Sequence, residues 1–159
     1  MIDLFEDRQR LAIPKSTRLV HGPPEKILLL EHCYCPNGHD LINKRYKLNG
    51  NAGIWIAVNR GADQKGEIVL SPIYGDRTRF EIDLDQMPGE VFSIMCPVCD
   101  TEIPTLGRCV CDRGDLHTIF LDRSFSGNNA VIICDVVDCF NSYIISNGTI
   151  LNHFSFGGY

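Results

Sequence analysis

A chain of 159 residues with 44% hydrophobic composition is long enough for one domain with a real core, and its size gives no reason to require two. Its formal net charge of −5 speaks against nucleic acid as a partner, and no apolar run approaches the length of a membrane span. Eight cysteines are the compositional outlier.

Met1 to Ile13 carries Asp3, Glu6, Asp7, Arg8 and Arg10 and shows no apolar signal-peptide stretch, which predicts a reducing, cytoplasmic setting. In that setting closely paired cysteines hold metal more often than they bond to each other. Two four-thiolate zinc sites, each of about −2, would take the total charge to about −9. Lys44, Arg45 and Lys47, with Arg77 and Arg79, form runs too short for a phosphate-binding face and are read as solvated.

Asp3 to Leu11 allows one or two helical turns before Pro14. Beyond Gly22-Pro23-Pro24, Lys26 to His32 is a short apolar run suited to a buried strand that delivers Cys33 and Cys35 at its end. Residues two apart on a strand point to one side, so both sulfurs can reach one ion. Pro36-Asn37-Gly38 then turns the chain.

Ile54 to Val58, Glu67 to Leu70 and Phe80 to Leu84 read as strands, with Phe80, Ile82 and Leu84 alternating onto one buried face and Trp55 assigned to the core. Glu90 to Met95 is another strand and runs straight into Cys96-Pro97-Val98-Cys99. His117 to Leu121 and Ala130 to Ile133 continue the pattern across a Ser126 to Asn129 loop. Asn147-Gly148 between two β-branched runs is a hairpin signal, because both turn positions need positive φ. The expected fold class is mainly β, a single unit over 1–159 of antiparallel sheets with metal knuckles and little helix.

The cysteines fall into four pairs: Cys33 with Cys35, Cys96 with Cys99, Cys109 with Cys111, and Cys134 with Cys139. A Cys-x-x-Cys turn presents two thiolates while backbone N–H groups steady the sulfurs. In a sequential arrangement Cys96, Cys99, Cys109 and Cys111 share one ion and Cys33, Cys35, Cys134 and Cys139 another. A crossed arrangement joins Cys33 and Cys35 to Cys96 and Cys99, and Cys109 and Cys111 to Cys134 and Cys139. Short loop closure costs less entropy, which favours the sequential arrangement. In a third version His39, held near Cys35 by Pro36-Asn37-Gly38, replaces a cysteine. A further echo aligns Cys33 and Cys35 with Cys109 and Cys111, each pair followed by Gly and then Asp-Leu, and is read as the shared demands of a metal turn.

Cys96-Pro97-Val98-Cys99, Cys109 with Cys111, and Cys35-Pro36-Asn37-Gly38-His39 together resemble the zinc-ribbon class in the broad sense. Cys109-Val110-Cys111 is one residue shorter than the usual half-site. The resemblance implies a metal and a local shape, with no activity attached.

A catalytic zinc keeps an open position, usually with His or carboxylate ligands and a base nearby. His32, His39 and His117 flank the cysteine pairs, with Asp112, Asp115, Asp135 and Asp138 close in sequence. Saturation by thiolates makes a weak Lewis acid, so these residues are read as turn and strand formers. The expected protein is thus a cytoplasmic binding or adaptor module for another protein, with two structural zinc ions and no catalytic residues. A metal-dependent hydrolase with an open site near His39 is the alternative, and iron is a second metal that four thiolates suit.

Overall fold

The computed structural model describes residues 14–21, 26–48, 50–60, 64–74, 76, 78–83, 91–136, 139 and 142–151. They form twelve strands in three antiparallel sheets and no helix. The helical turns expected over Asp3 to Leu11 lie outside the described residues, as do Arg77, Leu84 and Asp138.

A two-stranded sheet pairs β1 (Thr17–His21) with β2 (Lys26–Leu30). The second sheet is built on the ten-residue β4 (Asn51–Arg60). One edge of β4 takes β3 (Ile42–Leu48) near its start and β7 (Ser93–Met95) near its end. The other edge takes β5 (Gln64–Leu70), which pairs in turn with β6 (Arg79–Ile82). The third sheet is a meander of β8 (Thr105–Arg108), β9 (Asp115–Phe120), β10 (Ala130–Cys134), β11 (Ser142–Ser146) and β12 (Thr149–Leu151).

Alternation along the strands decides which side chains reach the core. Ile54, Ile56 and Val58 of β4 are buried, and so are Val131 and Ile133 of β10, all in one apolar cluster with Leu28 and Ile94. The other face of β10 is also buried, where Ala130 and Ile132 pack with Leu116 and Val136. Burial on both faces accounts for the unbroken apolar run of this central strand.

Trp55 does not belong to this core. It alternates onto the opposite face of β4, half-buried beside Tyr46, and its Nε1–H donates to Glu67 Oε1 at 2.8 Å. Phe80 completes that aromatic group against Tyr46. Strand β6 shows no buried face, since all of its residues are half-buried at the edge of the sheet. Asn147 and Gly148 adopt φ of 50° and 82°, the positive pair that a tight hairpin turn between β11 and β12 requires.

The segment from Val91 to Ile103 ties the two larger sheets together. Its start lies beside the end of β10, with Phe92 N–H donating to Asp135 O at 2.9 Å, and it then joins the edge of β4 as β7. Ile103 N–H returns to Ile94 O at 2.9 Å, so Cys96 to Cys99 occupies the tip of a tight reversal at the seam between the sheets.

Candidate metal centres

Among the described residues, two groups of four side chains each bring one donor atom apiece within 4.8 Å of the others. The first comprises Cys35, His39, Cys96 and Cys99, and the second Cys109, Cys111, Cys134 and Cys139. All eight thiols are free.

Local turns build the half-sites. In three of them the N–H two residues after a cysteine points at its sulfur: Asn37 to Cys35 at 3.3 Å, Val98 to Cys96 at 3.4 Å, and Cys111 to Cys109 at 3.4 Å. Each turn also carries one residue of positive φ, namely Gly38 at 88°, Asp100 at 58° and Asp112 at 61°. The true counterpart of Cys109 is therefore Cys35, and the echo that aligned it with Cys33 is two residues out of register. The fourth half-site is the end of β10, where Cys134 closes the strand and Cys139 N–H donates to Val136 O at 3.1 Å.

The spacings fit a tetrahedral ion. Zinc–sulfur bonds of about 2.3 Å put tetrahedral sulfurs about 3.8 Å apart, and sulfur and imidazole nitrogen about 3.6 Å apart. In the second centre Cys109 and Cys139 are 3.8 Å apart, as are Cys111 and Cys134. In the first, Cys35 and Cys99 are separated by 3.9 Å, and His39 Nδ1 lies 3.4 Å from Cys35 Sγ and 3.9 Å from Cys96 Sγ. His39 is aimed by its own turn, since Cys35 N–H donates to His39 O at 3.0 Å.

No known protein family, curated protein or solved structure matches the chain. The centres therefore have to be read from their own chemistry.

Cys33 lies outside both groups. It is fully buried in the apolar cluster, and burial, with the Asp40 carboxylate adding to it, pushes its thiol well above the ordinary value. The structure thus departs from the sequential arrangement and follows the crossed one, with His39 in the place assigned to Cys33. Loop entropy misled because it is weak: each doubling of a loop costs only about 0.6 kcal/mol. Strand pairing outweighs it by fixing where each turn sits. Tyr34 is locked to Phe120 by two backbone hydrogen bonds of 2.7 and 3.0 Å, which place the Cys35 turn against the seam that carries Cys96.

Each centre joins one half-buried, acidic thiol to one whose ionisation burial opposes. The Thr101 side chain, with that of Asn37, holds Cys99 down to about 6, whereas burial pushes Cys96 up to about 12. The backbone N–H of Arg113 brings Cys111 down to about 6, and burial raises Cys134. Asn37 and Thr101 are also bonded to each other at 2.7 Å. Their role was not read from the sequence, although both stand within two residues of a donor.

The other flanking residues serve the scaffold. His117 and Asp135 form a buried pair, with Nε2 2.7 Å from the carboxylate and Nδ1 3.1 Å from Ile103 O. The second Asp135 oxygen accepts from Asp115 N–H at 2.9 Å, which fixes β10 to β9 one residue beyond Cys134. His32 pairs with Asp40 at 2.7 Å, and Asp112 and Asp115 face Arg108. A carboxylate holds His32, and a carboxylate and a backbone carbonyl together hold His117.

Proposed function

We propose that this chain is a zinc protein whose two ions stabilise the fold and whose surface serves as a binding module for another protein. The observation that carries the reading is the tetrahedral spacing of two complete donor sets, each filled by side chains alone. Four protein donors leave no open position for a catalytic water, which favours a structural ion over a hydrolytic one at His39. Thiolate-rich donor sets select zinc or iron among the common metals.

A three-thiolate, one-imidazole ion carries about −1 and a four-thiolate ion about −2, which takes the formal charge from −5 to about −8. Such a surface suits a protein partner better than a phosphate backbone. The tips of two knuckles offer apolar contacts, with Val98 58% and Val110 91% exposed.

Elemental analysis of protein purified without added metal tests the metal reading. Two zinc per chain are expected, falling to one in Cys35→Ser and one in Cys134→Ser. Metal-free but folded protein would overturn it, and a visible absorption band with stoichiometric iron would replace zinc. Pull-down from cell extract with the metal-loaded protein, compared with a Val98→Asp, Val110→Asp variant, tests the partner reading. Loss of a specific protein partner in the variant is expected, whereas recovery of no partner by either form would count against it.

A further inference from the structure

A partly open cleft of about 240 Å3 lies between the two larger sheets. Ile54, Ile56 and Val58 of β4 line one wall, and Val131 and Ile133 of β10 the other. Ser71, Asp76 and Thr78, and Cys109, Cys134 and Cys139 of the second candidate centre, also belong to its lining.

Water is a poor occupant of its middle. An ordered water needs two to four polar partners, and an apolar cavity of about 150 Å3 stays dry and takes benzene. Here the wall side chains are hydrocarbon and the strand backbones are spent on their ladders. The Ser71 and Thr78 hydroxyls in the lining are already bound to Asp76, both at 2.7 Å. Scaled from benzene, 240 Å3 holds about ten non-hydrogen atoms.

We infer that this cleft is a binding site for a small, uncharged, apolar molecule of about ten non-hydrogen atoms. Burying a carboxylate against hydrocarbon walls strips its hydration, and the Asp76 carboxylate in the lining would repel it. An alcohol or a hydrocarbon of the same length meets no such penalty.

1-Nonanol and octanoate form a matched pair, each an unbranched alkyl molecule with ten non-hydrogen atoms in all. Titrated into protein of measured zinc content, 1-nonanol is expected to raise the melting temperature with the logarithm of its concentration. Octanoate is expected to bind at least tenfold more weakly. Ile133→Phe fills the cleft and should weaken 1-nonanol at least tenfold without changing zinc content. If that variant does not fold, intermolecular nuclear Overhauser contacts from 1-nonanol to the Val131 and Ile133 methyls of the natural protein give the same answer. No response to 1-nonanol, an equal response to octanoate, or contacts to other methyls would overturn the inference. Zinc content, read on each sample, separates such a failure from failure of the metal reading.

Discussion

Cys33 and His39 carry opposite consequences although each flanks Cys35. Cys33→Ser places a hydroxyl in a fully buried apolar site, and a cost of about 1–3 kcal/mol is expected in urea unfolding. Its zinc content should stay at the natural level. His39→Ala should lose one ion, while His39→Cys should keep it, because a thiolate can complete the same tetrahedron. Loss of metal in Cys33→Ser with none in His39→Ala would reverse the assignment. Among the remaining polar residues His117 matters most. Removing the imidazole leaves a buried Asp135 oxygen without its hydrogen-bond partner, so His117→Ala is expected to cost about 1–3 kcal/mol with metal saturating. A change below 1 kcal/mol would show that Asp135 is served by its bond to Asp115 alone.

The strands and turns act by holding these residues in register. Gly114 is the tightest case, since a Cβ there would collide with Asp135 Oδ1 and Val136 Cγ2. Gly114→Ala must therefore displace the carboxylate that anchors the end of β10 beside Cys134. Overpacking of this kind costs about 1–3 kcal/mol. The second centre should bind metal more weakly in this variant while the first is unchanged, which a competition titration with a chromogenic chelator would show as the weakening of one site alone. Equal weakening of both centres would mean that the two are not independent. The hairpin at Asn147 and Gly148 offers a milder test of local geometry. Gly148 sits at φ 82°, so Gly148→Ala is expected to lose roughly 1 kcal/mol through backbone strain without touching metal content.

At the scale of the molecule the comparison is between metal energy and net stability. A structural zinc contributes about 10–16 kcal/mol in small zinc-binding peptides, against a net stability of about 5–15 kcal/mol for a typical domain. The first candidate centre lies at the seam between the two larger sheets, and the second joins the end of β10 to the knuckle before β9. Removing both should abolish the cooperative melting transition, with circular dichroism as the readout and re-addition of zinc as the control. A transition that survives chelation at the same temperature would place the stability in the apolar core. Among the described residues no helix is long and apolar enough to cross a membrane.

Local chemistry was legible without coordinates. The strands around Ile54, Glu67, His117 and Ala130, the Asn147-Gly148 turn and the knuckle at Cys96 follow from alternation and from residues that tolerate positive φ. Strands β1, β3 and β8 were not read, because Thr17–His21, Ile42–Leu48 and Thr105–Arg108 mix charged, polar and apolar residues without clear alternation. Trp55 was misassigned because aromatic character does not say which face of a strand a residue occupies. The grouping of donors was decided by tertiary structure alone. Cys35 and Cys99 are 64 residues apart, and nothing in their neighbourhoods encodes that Tyr34 pairs with Phe120 or that β7 joins β4. Sequence fixes which side chains can bind a metal through short-range turns; which of them meet depends on long-range strand pairing, where many weak contacts outweigh any one loop.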